Sequence, residues 1–351
     1  MKNHLVSVIL FCLLVFAGTV VAANPAPSIQ WDRESAMAAV RSAPVDIAVD
    51  EIGNTASLAD GEATLDRLKA LENRSDLPLP AREAALYEFT RSLAELPRSA
   101  VAVEVMAHLR NYQAQALVPH EDHGNTLVPL FNIRGAAAGV ENGWQRSEFA
   151  IEALEILETG PDKLVSAYIG SENNNQRSGY LDALGQAGMA DVELVQNAAL
   201  EQFDREPELT RVLGLTAVIT TDPFAIQQLL VHGHGVGLAA ALRQLDERLP
   251  ASETAAFLTY AVQQAPAENA SLAIAAWWPR LRHEAAIRDL LVAKLDDPAL
   301  GSTAALALAQ SPDIQTIKVL QDIAGGNSIA ARRAQMALTM NRDRLIGEVQ
   351  Q

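Results

Sequence analysis

Apolar residues recur at helical spacing through the second half of the chain. Over residues 194–203, 287–295 and 314–324 they return every three or four positions and form one stripe along a helix. A break containing Gly or Pro follows each stripe, and a second segment rich in Ala and Leu comes next. Small alanines let two helices approach closely, and the leucines fill the seam between them. The pattern therefore predicts helical pairs.

The predicted pairs repeat at a nearly constant interval. We place the starts of their first helices at residues that suit a cap or a first turn, namely Pro161, Asp191, Asp222, Ser252, His283 and Pro312. These starts are 30, 31, 30, 31 and 29 residues apart. One pair of about 30 residues cannot bury its own stripe, but stacked pairs can cover one another. The sequence thus predicts an all-α fold, an α-solenoid of stacked antiparallel helix pairs.

The C-terminal pairs resemble a known family. Residues 283–340 are similar to HEAT-like repeats of the short variety found in phycobilisome-lyase-type proteins. The residues that carry the resemblance are Leu290-Leu291, Ala304-Ala305-Leu306, Arg332-Arg333-Ala334 and Ala337-Leu338. The resemblance implies a solenoid and an interaction role, and it transfers no catalytic activity. It is weaker over 161–282 and weakest before that.

We predict four regions along the chain. They are a signal peptide over 1–23, a linker with N-terminal cap helices over 24–80, irregular helical pairs over 81–160, and HEAT-like repeats over 161–345. In the second region helices are expected at 31–41 and 63–71 but not at 44–59. In the third, the expected helices are 81–95, 100–117, 127–140 and 144–158.

The first residues have the layout of a secretory signal. Lys2 precedes a run of thirteen residues, 5–17, that is apolar apart from Ser7, and the small residues that follow offer a peptidase site before Asn24. Thirteen residues span only about 20 Å as a helix, which is too short for a membrane anchor. The single cysteine, Cys12, lies inside this apolar run, so the mature chain would contain no disulfide and no thiolate metal site. We expect a periplasmic protein with no membrane insertion after cleavage.

Charge narrows the choice of partners. The 351-residue chain has 27 Lys and Arg against 43 Asp and Glu, a formal charge of −16. This balance disfavours nucleic acid and anionic membrane surfaces. It is compatible with basic partners, or it simply keeps the surface solvated. We expect a protein or peptide partner, and the oligomeric state is left open.

One loop holds candidate metal ligands. His120, Glu121, Asp122 and His123 lie within four residues, and imidazole and carboxylate groups are ligands that zinc prefers. His108, on the preceding predicted helix, could join them if the helix ends meet. The histidines are three apart in a turn, however, whereas helical zinc hydrolases space them four apart. A polar turn between helices is the alternative.

Trp277 and Trp278 are the candidate binding residues. Neighbouring helical positions point about 100° apart, so one indole could lie on the surface and anchor a partner, although both could also be buried. Pro279 is expected to end their helix. His232-Gly233-His234-Gly235 is read as an interhelix turn, because no strand precedes it as a phosphate loop would require. With no catalytic constellation, we expect no cofactor and a non-enzymatic scaffold or adaptor of the bacterial cell envelope. The alternative is a metal-binding protein or metal-dependent hydrolase centred on the His120–His123 loop.

Overall fold

The computed structural model describes residues 29–53, 60–123, 126–311 and 313–349, with side chains as far as residue 343. The predicted signal peptide lies outside these residues. The chain forms two compact units, Met1–Glu141 and Asn142–Gln351. Within the described residues there are eighteen α-helices and three very short strands. The prediction of an all-α solenoid is confirmed.

The first unit combines helices with a small sheet. Its elements are β1 (Ile29–Gln30), α1 (Arg33–Ser42), α2 (Val45–Ile52), α3 (Gly61–Glu72), α4 (Leu79–Ser92), α5 (Ala100–Asn111), β2 (Ala116–Pro119) and β3 (Leu127–Pro129). Strand β2 lies centrally, parallel to β1 and antiparallel to β3. Helix α4 packs against α1, α2 and α3.

Two predictions in this unit are wrong. Residues 44–59 were expected to be non-helical, yet α2 occupies 45–52 and buries Ala48 and Ile52. The helix expected over 100–117 ends at Asn111, and the chain continues into β2. The cause is Glu83, a fully buried residue of α4 whose carboxylate accepts the backbone amides of Gln115 and Ala116, at 2.6 and 3.3 Å from Oε1. A carboxylate that binds these amides holds the segment extended.

Helix α6 (Ile133–Thr159) replaces the pair expected over 127–140 and 144–158. It is continuous because Ile133, Ala137, Val140 and Trp144 are all buried at alternating spacings of four and three residues. One unbroken stripe outweighs the weak helix propensity of Gly143, which costs about 1 kcal/mol relative to Ala. The first three residues of the expected helix form β3 instead.

The second unit is a serial stack of helix pairs. After α6 its helices are α7 (Pro161–Gly170), α8 (Asn174–Gln186), α9 (Met189–Leu200), α10 (Thr210–Thr220), α11 (Pro223–His232), α12 (Gly235–Arg248), α13 (Ala251–Gln264), α14 (Ala267–Leu281), α15 (Ala285–Ala293), α16 (Gly301–Ala309), α17 (Ile314–Ala324) and α18 (Ile329–Val349). Odd-numbered helices from α7 to α15 pack on the next odd-numbered helix, and even-numbered helices from α8 to α18 on the next even-numbered one. The result is two layers that share one continuous core.

The predicted helix starts agree with the structure to within two residues where it describes them. Helix α7 begins at Pro161 as expected, and Asp222 caps α11 by accepting the amide of Ala225 at 2.7 Å. Three predicted starts were displaced: α9 begins at Met189, α13 at Ala251 and α15 at Ala285. Pro312 lies outside the described residues. Instead, Asp313 accepts the amide of Gln315 and caps α17.

Side-chain donors join successive pairs at the helix ends. The last carbonyls of a helix lack an intrahelical partner and need a donor when they are buried. Asn269 of α14 donates to the carbonyls of Leu230 and Gly233 at the end of α11, at 2.9 and 2.7 Å. Asn341 of α18 donates in the same way to Ala309 and Ser311 after α16. Both amides are almost fully buried, so these bonds link successive helix pairs of the stack.

Among the described residues, no helix combines the length and the apolar character that crossing a membrane requires.

Candidate functional site

The loop predicted to bind metal is the turn between β2 and β3. Its backbone is closed by bonds between His120 and Thr126, at 2.8 Å, and between Thr126 and His123, at 2.7 Å. The two imidazole rings stack with centroids 5.3 Å apart, and His120 Nδ1 accepts the amide of Asp122. Glu121 is directed to Arg33 at 3.6 Å. The two rings stack on each other and the Glu121 carboxylate points to Arg33. The loop is therefore a polar turn, and its candidate ligands do not converge on one point.

The third histidine has another partner. His108 Nε2 lies 2.7 Å from Glu72 Oε1, within the first unit. Among the described residues no group of three His, Cys, Asp or Glu side chains could hold a metal ion. The predicted metal site at His120, Asp122 and His123 therefore gains no support from the geometry.

Both tryptophans are core residues. Trp277 is 0% exposed and Trp278 is 1% exposed, so of the two alternatives the structure shows burial of both indoles, and neither is a surface anchor. Trp277 Nε1 donates to the carbonyl of Leu242 on α12 at 2.9 Å. Pro279 does not end the helix, because α14 continues to the buried Leu281. Helix α14 packs against helices of its own layer and of the other layer, so two side chains that point about 100° apart can both be buried.

The turn at His232-Gly233-His234-Gly235 is confirmed, since it joins α11 to α12. Gly235 has φ of +59°, a conformation that favours glycine, and the first turn of α12 follows it. The next residue, Val236, is left 86% exposed. This turn thus presents an apolar side chain to solvent.

The described residues of the second unit form a groove on α6, α8, α10 and α12, with a volume of about 1010 Å³. We call it the even-helix groove. Ile151 and Leu154 come from α6, Leu181 from α8, Leu215 from α10 and Val236 from α12. Since these helices lie side by side in one layer, the groove runs across the helices.

Glycines set the spacing of the helices beneath the groove. A Cβ on Gly179 of α8 would lie 2.5 Å from the carbonyl oxygen of Arg146 and 3.0 Å from the amide nitrogen of Ala150, both on α6. A Cβ on Gly214 of α10 would lie 2.9 Å from the Cβ of Ala241 on α12. No side chain larger than hydrogen fits at these crossings. The helices beneath the groove therefore pack closely against one another.

Three charged side chains line the groove. Asp182 accepts from Arg146 in a bidentate pair, with Nε and Nη2 at 2.9 and 2.6 Å. Arg211 and Arg243 are exposed, and neither forms an ion pair with a carboxylate of the described residues. Within the described part of this acidic chain, the groove thus carries two guanidinium groups that have no ion-pair partner.

The sequence did not identify this site. Arg211 and Arg243 look like ordinary exposed positions, and nothing local shows that they share a surface. The available signal was a glycine in the second helix of three pairs, because glycine often marks a place where two helices approach closely. These glycines are Gly179, Gly214 and Gly237. That signal predicts tight packing, and only the assembled layer reveals the groove. Comparison with protein-family models, curated proteins and solved structures finds no match.

Proposed function

We propose that the chain is a non-enzymatic interaction protein of the bacterial cell envelope, most simply a periplasmic scaffold or adaptor, and that the even-helix groove binds a peptide segment of another protein. The observation that carries the proposal is the groove itself. It combines exposed apolar side chains with arginines, and aromatic or arginine side chains beside apolar surface are typical of interfaces. The envelope location rests on the signal-like N-terminus.

The polar groups of the groove favour binding over catalysis. Among the described residues that line it, Asp182 is the one carboxylate and is held by Arg146, and none is a histidine, cysteine or tyrosine. General acid–base chemistry needs a titratable group free to exchange a proton near neutral pH. Guanidinium groups can orient an anion, but they do not serve as a general base.

Photo-crosslinking tests the proposal. A photoreactive amino acid replaces Ile151, which is 60% exposed in the groove, in the cell that produces the protein. A second chain carries it at Ile314, which is 64% exposed on α17 and outside the groove. We expect a discrete protein adduct from position 151 only. It should disappear when Val236→Glu is added and persist when Ile314→Glu is added instead.

Equal adducts from both positions, or an adduct from position 151 that survives Val236→Glu, would contradict a binding role for the groove. Circular dichroism of each variant checks that the helices remain folded. Both glutamates replace exposed side chains, so neither substitution should unfold the stack.

A further inference from the structure

The charge of the groove differs in sign from that of the chain. The whole chain has a formal charge of −16, yet the groove contains two arginines and one aspartate, and that aspartate is already paired. Arginine forms bidentate bonds with carboxylates and is less strongly hydrated than lysine. Two guanidinium groups that pair with no carboxylate of the described residues are therefore suited to carboxylates supplied by another molecule.

The arginines are separated along two neighbouring helices. A Cβ on Gly237 would lie 3.0 Å from the side chain of Arg211, which aligns Arg211 of α10 with Gly237 of α12. Arg243 lies six residues beyond Gly237, about 9 Å along the helix at 1.5 Å per residue. Carboxylates spaced along a peptide match this separation.

Apolar anchors lie on the two outer helices of the groove. Ile151 of α6 is 60% exposed and Val236 of α12 is 86% exposed. Burying such side chains contributes about 25 cal/mol per Å² of apolar surface. Three helix-to-helix intervals of 8–10 Å separate α6 from α12, which gives the groove a span of about 27 Å. A helix of about 18 residues has this length.

From these features we propose that the even-helix groove receives an acidic amphipathic peptide segment of a partner protein, whose carboxylates pair with Arg211 and Arg243 and whose apolar side chains cover Ile151 and Val236. The inference rests on the proposed binding function and specifies the chemistry of the partner. Nucleic acid is disfavoured as the anion, because two arginines neutralise few phosphates and a nucleic acid carries no apolar side chains to cover Ile151 and Val236.

Fluorescence anisotropy with three labelled peptides tests this chemistry. The probes are amphipathic 18-residue peptides that share their leucine positions and carry Glu, Gln or Lys at every polar position. We expect the purified full chain to bind the Glu peptide most tightly and the Lys peptide least. The affinity for the Glu peptide should fall as NaCl is raised, because exposed ion pairs are screened.

Arginine substitutions locate the effect. The double variant Arg211→Gln/Arg243→Gln should weaken Glu-peptide binding about tenfold, since each exposed charge pair contributes up to about 1 kcal/mol. It should leave Gln-peptide binding within about twofold. The control is Arg332→Gln on α18, an exposed arginine outside the groove that has no ion pair among the described residues. The control should change neither affinity by more than about twofold.

The inference is overturned if the Glu peptide binds no better than the Lys peptide, or if the double variant binds it as well as the parent chain does. It is also overturned if the parent chain dimerises through the groove, with the dimer lost in the double variant during sedimentation. If charge has no effect while Val236→Glu blocks all three peptides, the groove is still a binding site and only its acidic specificity fails. Absence of both the groove adduct and peptide binding would remove the proposed function as well.

Discussion

Two glycines on adjacent helices should respond in opposite ways to the same substitution. Gly143, in the middle of α6, is exposed, and a Cβ there would have no neighbour within 4 Å. Gly143→Ala should therefore stabilise the second unit by about 0.5–1 kcal/mol, because alanine is the better helix former. Gly179, on α8, is buried where its helix crosses α6.

Gly179→Ala gains the same helix propensity but must separate the two helices. Its Cβ would lie 2.5 Å from a carbonyl oxygen and 2.7 Å from the Cβ of Phe149. Backbone atoms cannot rotate away, so the overlap forces a shift of α8 that costs about 1–3 kcal/mol, or more. We expect a net destabilisation of about 1–2 kcal/mol, and hence a difference of about 2–3 kcal/mol between the two variants.

Urea unfolding measures the difference. Far-UV circular dichroism follows the helices, and tryptophan fluorescence follows the core of the second unit through the buried Trp277 and Trp278. The midpoints should move in opposite directions with the slope unchanged, because the slope reports the surface exposed on unfolding. If Gly179→Ala proves as stabilising as Gly143→Ala, the close packing of α6 on α8 beneath the groove is refuted.

Two further predictions concern buried polar groups. In urea unfolding, Trp277→Phe should cost about 1–2 kcal/mol more than Trp278→Phe. The reason is that the Trp277 indole donates a hydrogen bond to Leu242, whereas the buried Trp278 Nε1 has no partner among the described residues. Equal costs would contradict this assignment. Burial raises the pKa of Glu83 in the folded state, despite the amides of Gln115 and Ala116 that lower it. The contribution of Glu83 to stability is therefore fully present below the ordinary carboxyl pKa of about 4.3, and it is lost as the pH rises through the raised pKa. Thermal unfolding from pH 4 to pH 7 should therefore show the parent chain losing stability relative to Glu83→Gln, and parallel profiles would disprove the buried carboxylate.

The repeat was predictable because its cause is local. A stripe of apolar residues followed by a break and a second stripe specifies a helix pair, and a single pair cannot bury both stripes. The starts at Pro161 and Asp222 were predictable from capping chemistry. The other starts are displaced by only one or two residues. Asp191, for example, lies in the first turn of α9, where it still interacts favourably with the helix dipole.

Features that depend on distant contacts were not predictable. The segment after α5 becomes a strand because Glu83, more than thirty residues earlier, binds its amides. Both tryptophans are buried because α14 lies between α12 and α16. No local sequence pattern indicates this position of α14. The groove arises in the same way, from side chains of four helices distributed over about 100 residues.

Reversing the charge of the groove tests the central claim most directly. Arg211→Glu/Arg243→Glu gives the groove the opposite sign while leaving Ile151 and Val236 in place. Anisotropy titrations of this variant should show that it prefers the Lys peptide over the Glu peptide, the reverse of the parent chain. A variant that still prefers the Glu peptide, or that shows no preference when the parent chain has one, would contradict recognition of acidic segments by these two arginines.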